Sequence, residues 1–273
     1  MSLRGKTIVI TGASRGIGRA IALRCAKDGA HLVIASKTSD PHPKLAGTIH
    51  SVAEEVVAAG GKALAVQVDV RSEEDVQQMV DETVKTFGGI DVLINNAGAI
   101  SLTDIESTSM KRFDLMLGIN ARAVFLCTKL CLPHLKKSKN AHVLSMSPPV
   151  SQDPKWMKGH GAYTLSKFGM TMLSLGLAEE LREYGVAVNT LWPRTVIWTA
   201  ALDMLLGQEG EKNSRSPDIV ADAAYEIICT QNLTLTGQAL LDESFLRTRG
   251  MSDFSKYAMA AGVEPMLDLY VDA

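Results

Sequence analysis

Hydrophobic residues fall along this chain in two alternating patterns. Short β-branched or aliphatic runs, apolar on consecutive positions, occur at 7–11, 31–36, 63–68, 92–95, 141–146, 186–191 and 238–241, and longer segments of helical period lie between them. Consecutive apolar positions are what parallel strands need when helices cover both faces of their sheet. The pattern predicts an α/β, Rossmann-type doubly wound parallel sheet of about seven strands. Helix punctuation agrees: 17–28 stops at Gly29, 52–59 stops at Gly60-Gly61, and Ser72-Glu73-Glu74-Asp75 caps 76–87. No repeat, linker or low-complexity tract divides the chain, so 1–273 is expected to be a single domain. Two irregular stretches, Asp40-Pro41-His42-Pro43-Lys44 and the tail after about 242, are expected to border the pocket or an interface.

Composition narrows the partners. The 273 residues are 46% hydrophobic, enough for one sizeable core, and 28 basic residues nearly balance 30 acidic ones. Without a net field to recruit nucleic acid or an anionic membrane, the expected partner is a small molecule. Lys136-Lys137-Ser138-Lys139 reads as a solvated helix C-terminus. No apolar stretch approaches the roughly 18 residues of a bilayer span, and the start shows no signal-peptide pattern. Cys25, Cys127, Cys131 and Cys229 form no CxxC pair, so reduced core thiols and a cytoplasmic location are expected. The histidines at 31, 42, 50, 134, 142 and 160 show no metal-ligand spacing, and His160 reads as a surface-loop residue.

Chemistry concentrates at strand ends. After the first strand stands Thr11-Gly12-Ala13-Ser14-Arg15-Gly16-Ile17-Gly18. Its glycines permit a sharp turn and close approach to a pyrophosphate, which the following helix N-terminus favours through free N–H groups and its dipole. At the second strand end, where a carboxylate would select NAD, stand Ser36 and Lys37; with Arg15 they favour the 2′-phosphate of NADP(H). Asp69, before Val70, either accepts from an adenine amino group or caps the helix beginning near Ser72. In Asn95-Asn96-Ala97-Gly98, amides can bond loop backbone and sugar, and small residues admit the cofactor.

Three ordered motifs carry a resemblance to the short-chain dehydrogenase/reductase family: Thr11 to Gly18 is similar to its TGxxxGxG, Asn95 to Gly98 to its NNAG, and Tyr163-Thr164-Leu165-Ser166-Lys167 to its YxxxK. The 40–50 stretch and Ser147-Pro148-Pro149 further resemble the subgroup called hydroxysteroid dehydrogenase-like protein 2. The resemblance implies hydride exchange between a nicotinamide and a secondary alcohol or ketone, with Tyr163 as acid/base. Lys167, one helical turn on, lowers the phenol pKa from about 10 and reaches the nicotinamide ribose. It also implies that Asn120 holds a relay water, that Pro193, Thr195 and Val196 border the nicotinamide, and that a homodimer or homotetramer forms.

One position departs from the family's strand-end Asn-x-Ser-Ser. Here the run is Ser145-Met146-Ser147-Pro148, and proline cannot donate to a substrate carbonyl. Ser147 serves only if the Pro148-Pro149 bend redirects it, and Ser151 is the other candidate. The departure leaves a second reading open, a cofactor-binding sensor or interaction module with weak or no catalysis. Trp156, Met157, Trp192, Trp198 and residues 204–206 are candidates for an apolar substrate pocket.

Overall fold

A computed structural model describes residues 2–43, 45–231 and 233–272, with the side chains at 205 and 208 outside that description. Lys44 of the prolyl stretch and the side chain of Leu205 therefore lie outside the described residues. Seven parallel strands, β1 (Thr7–Thr11), β2 (His31–Ser36), β3 (Lys62–Gln67), β4 (Val92–Asn95), β5 (Ala141–Met146), β6 (Val186–Trp192) and β7 (Ala239–Leu241), form one sheet. Their order is β3-β2-β1-β4-β5-β6-β7. Every residue of β1, β4, β5 and β6 is buried, as the consecutive apolar runs require. The order reverses between β1 and β4, which opens a crevice beyond their carboxyl ends.

Helices α1 (Gly16–Ala26), α2 (Ile49–Ala58), α3 (Glu73–Phe87), α4 (Met110–Met116), α5 (Ala123–Leu135), α6 (Gly161–Glu180), α7 (Ala200–Lys212), α8 (Asp218–Cys229) and α9 (Asp242–Thr248) surround the sheet. α3 starts where expected: Ser72 accepts from the Asp75 N–H, three acidic residues occupy the first turn, and Gly88 closes the helix at φ +87°. α2 begins three residues earlier than its apolar period suggests. Thr48 and Ser51 form a reciprocal capping box there, a local device that hydrophobic spacing does not report.

α4 and α5 are joined by a π-helical turn, Leu117–Arg122, into one continuous apolar helix. Met110–Leu135 is thus 26 residues long and apolar enough to cross a membrane, against the expectation from uninterrupted runs. One face of it is core: Ala123, Leu126, Cys127, Cys131 and Leu135 join Val76, Met79 and Val80 of α3 in a cluster beneath the sheet. Burial pushes the Cys127 thiol up to about 12, so it stays protonated and unreactive.

Candidate active site

The strand ends around the β1/β4 crevice hold most of the residues singled out above. Gly12 turns the chain at φ +67°, and a Cβ there would lie 2.8 Å from the Ala97 Cα, which is backbone that cannot yield. Gly18 has a different constraint: its absent side chain leaves room for the Gly12 carbonyl and the Asn96 amide. Asn96 fastens the turn by donating from Nδ2 to the Thr11 and Gly12 carbonyls at 2.9 and 3.1 Å. Ala97 N–H donates to Thr11 Oγ1 at 3.1 Å. Gly16 and Ile17 begin α1, and no side chain caps it, so the first-turn N–H groups face the crevice as anion donors. A cradle this tight, with an uncapped helix at its rim, fits the pyrophosphate of a dinucleotide. Thr199 also reaches this turn, its Cγ2 lying 3.4 Å from where a Gly16 Cβ would stand. Sequence spacing did not point to Thr199, because it arrives from the loop after β6.

The cations at the ribose end are placed differently from the expectation. Buried Ser14 meets Ser36 through their hydroxyls at 3.2 Å, joining the turn to the end of β2. Lys37, however, pairs with Asp69 at 3.1 Å. A carboxylate therefore stands beside Lys37, because the parallel β2–β3 register brings the two strand ends side by side. Asp69 also binds Arg71, chiefly through side-chain hydrogen bonds that hold its carboxyl well below the usual range. Ser72, not Asp69, caps α3, which removes the capping alternative. Arg15 turns to the 40–50 stretch and donates to the Ala46 and Gly47 carbonyls at 3.0 and 2.8 Å. Val70 is a core residue whose side chain packs with α3 and α5.

Tyr163 and Lys167 lie one turn apart on α6, both buried. Lys167 Nζ donates to the Met146 carbonyl at 2.8 Å and sits 5.2 Å from the Trp192 ring. Gly98 joins them, since a Cβ there would be 3.5 Å from Asn120 Oδ1 and 3.8 Å from Lys167 Nζ. Burial lowers the Lys167 pKa to about 8. The Tyr163 phenol is pushed well up, first by burial and then by Tyr270 and Asp268. In this arrangement the Lys167 ammonium is turned to the Met146 carbonyl.

Asn120 sits in the π-helical turn with its side chain fully engaged. Oδ1 accepts from Ala99 N–H at 2.8 Å, and Nδ2 donates to the Ala99 carbonyl and to Ser166 Oγ at 2.9 and 2.8 Å. The extra residue of the π turn directs this amide inward, where it anchors the loop after Gly98. Ser147 does not face the phenol. It is fully buried and its Oγ accepts from Thr171 Oγ1 at 2.9 Å, deeper along α6. Ser151 accepts from Asp153 N–H in the following loop. Proline at 148 thus leaves the position without a hydroxyl.

Pro193 and Thr195 are buried beyond β6, and Thr195 Oγ1 has no partner. Val196 is engaged on both sides: its N–H donates to the Met266 carbonyl at 2.9 Å and its carbonyl accepts from Arg215 N–H at 3.0 Å. Of the expected apolar pocket, Trp156 and Trp192 converge with Tyr163 and Phe168. Trp198 instead lines a groove of about 1230 Å³ along α1, and Met157, Met204 and Leu206 are exposed. His160 is not a surface-loop residue. It stands half-buried at the head of α6, edge-on to Tyr270 at 6.3 Å, and burial lowers its pKa. The tail was expected to border the pocket or an interface, but Leu267, Asp268 and Tyr270 were not singled out, because nothing local says which segment each of them meets. Among the described residues no group of His, Cys, Asp or Glu could hold a metal.

A parallel sheet with this strand order, a glycine cradle and a buried Tyr-Lys pair defines a dinucleotide-binding oxidoreductase fold. Residues 6–207 match the short chain dehydrogenase family, and the chain belongs to that family. Among curated proteins it is 55% identical over 270 residues to hydroxysteroid dehydrogenase-like protein 2 of Danio rerio, covering 99% of this chain and 65% of that protein. This bears out the resemblance carried by 40–50 and 147–149; the chain spans just under two thirds of that relative. A putative dehydrogenase from Xanthomonas campestris superposes at TM-score 0.97 and 49% identity, covering 100% of both chains. A metagenomic short-chain oxidoreductase in complex with NADP gives 0.73 and 27%, over 88% of this chain and 98% of that one. The NADH-dependent reductase A1-R' gives 0.71 and 26%, over 88% and 96%.

Proposed function

We propose that the chain interconverts a secondary alcohol and a ketone with NADP(H). The observation that carries this reading is the buried Tyr163–Lys167 pair beside Gly98 and Asn120, at the same strand ends as the uncapped glycine turn. Gly12, Gly16, Ile17 and Gly18 would hold the pyrophosphate, Ser14, Arg15 and Lys37 the phosphorylated ribose, Asp69 and Val70 the adenine, and Asn96, Ala97 and Gly98 the central sugar. Pro193, Thr195 and Val196 would border the nicotinamide, which, when bound, supplies or accepts a hydride. Tyr163 Oη exchanges the proton with the substrate oxygen. Lys167, turned from Met146 toward the phenol, lowers its pKa by placing a cation beside the phenolate. Asn120 shapes the relay end of the site by holding the Ala99 backbone.

Three cations, Arg15, Lys37 and Arg71, against one carboxylate, Asp69, support the 2′-phosphate preference. The NADP-bound neighbour agrees with it, and the NADH-dependent neighbour defines the alternative. The test is absorbance at the reduced-nicotinamide band over a panel of ketones and alcohols with each cofactor. Turnover undiminished in Tyr163→Phe overturns the assignment.

A second reading, a cofactor-binding sensor without efficient chemistry, is favoured by one observation: Pro148 replaces the serine and Ser147 is bonded to Thr171. Cofactor binding with no turnover across the panel selects it. A homodimer or homotetramer is part of the proposal, supported by exposed Phe125, Leu165 and Met172 on α5 and α6. So is a cytoplasmic location, supported by the buried thiols of Cys25, Cys127 and Cys131.

A further inference from the structure

The tail lies inside the site. Residues 266–268 run antiparallel to 194–196: Val196 N–H donates to the Met266 carbonyl at 2.9 Å, Asp268 N–H donates to the Arg194 carbonyl at 3.0 Å, and Thr195 faces Leu267 between them. Trp192 Nε1 then donates to the Leu269 carbonyl at 2.9 Å. Thr164 Oγ1 donates to the Trp156 carbonyl at 2.7 Å, so it accepts from the Tyr270 hydroxyl at 3.1 Å. The Tyr270 ring sits 5.1 Å from Phe168, 5.8 Å from Trp156, 6.0 Å from Trp192 and 6.4 Å from Tyr163, centroid to centroid.

Two features set this segment apart from ordinary terminal packing. Tyr270 holds φ +68°, a left-handed conformation that a bulky side chain rarely adopts. The half-buried Asp268 turns its carboxyl back to accept from the Leu269 N–H at 2.6 Å, and burial raises its pKa to about 7. A carboxylate and a strained backbone are costly ways to finish a fold. They suit a segment whose closed position is one of two.

We propose that residues 266–270 are a built-in occupant of the nicotinamide and substrate subsites, which the nicotinamide half of the cofactor displaces. The inference rests on the cofactor reading above. The tail takes the N–H of Val196, one of the residues assigned to border the nicotinamide, and fills the aromatic pocket against Tyr163. With the tail closed, Asp268 and Tyr270 also raise the Tyr163 pKa, which keeps the phenol inactive. The adenosine end, formed by the glycine turn, Ser14 and Lys37, makes none of these tail contacts. Closure therefore penalises the nicotinamide half alone, and apparent affinity falls in proportion to the fraction of open sites.

Thr195 and Leu267 form a non-hydrogen-bonded antiparallel pair, a geometry in which Cα atoms typically lie about 4.5 Å apart and a disulfide can form. In full-length T195C/L267C, calorimetry compares NADPH with 2′,5′-ADP and NADH with 5′-ADP, oxidised and then reduced. The oxidised protein is expected to bind each cofactor no more tightly than its adenosine fragment. Reduction is expected to strengthen cofactor binding roughly tenfold or more, with fragment affinity unchanged. Equal cofactor affinity in the two redox states overturns the tail proposal. Failure of the unsubstituted chain to bind either cofactor or fragment overturns the cofactor reading itself.

Discussion

Replacing Gly12 with alanine tests the turn on which the cofactor reading stands. The substitution meets two obstacles. At φ +67° an alanine Cβ costs about 1–2 kcal/mol in backbone conformation. The same Cβ would then press 2.8 Å from the Ala97 Cα and 3.0 Å from the Ala97 nitrogen, overpacking that typically adds about 1–3 kcal/mol. Gly12→Ala should therefore lose roughly 2–5 kcal/mol, a large share of the stability of a domain. Gly88→Ala supplies the internal control: it has φ +87° but nothing within 4 Å, so only the conformational cost of about 1–2 kcal/mol applies. Equilibrium urea unfolding, followed by far-UV circular dichroism and tryptophan fluorescence, measures both. If Gly12→Ala loses no more than Gly88→Ala, the close approach of the turn to the β4 strand end is wrong.

Lys37→Asp should weaken NADP relative to NAD by about tenfold or more, the worth of one charge-assisted hydrogen bond of about 1.5–3 kcal/mol; unchanged relative affinities in calorimetric titration contradict the ribose-end placement. His142 is buried and its pKa is lowered to about 4, so its neutral form is favoured in the fold. That contribution is complete above the unfolded value near 6.5 and is lost as pH falls from there to about 4, with a total of about 3 kcal/mol. Urea midpoints measured across that window should show the slope, and His142→Gln should flatten it. Glu243→Gln leaves buried Arg215 without its anionic partner and should cost about 3–5 kcal/mol, read as a lowered urea midpoint.

The fold and the glycine turn after β1 were legible in the linear sequence because their causes are local. Runs covered by helices on both faces are continuously apolar, which located all seven strands to within one residue at each end. Glycine at 12, 16 and 18 is required by backbone geometry within a few residues. Tyr163 and Lys167 share a helix face by spacing alone. The catalytic serine problem was equally visible, since proline lacks a donor in any fold, but where Ser147 turns depended on Thr171 twenty-four residues away.

What tertiary structure alone decided are the meetings between distant segments. Lys37 and Asp69 become an ion pair because parallel β2 and β3 end side by side, so the charge at the ribose end is a property of two strands. Arg15 finds carbonyl partners in a stretch more than thirty residues on. Asn120 becomes an anchor for Ala99 only because a π turn rotates it inward. The tail has no apolar period to announce a docking place; Tyr270 reaches Tyr163 through an antiparallel pairing with the loop after β6. Periodicity and turn chemistry act over a few residues and therefore survive in the sequence, whereas charge pairing and pocket occupancy depend on which segments the sheet brings together.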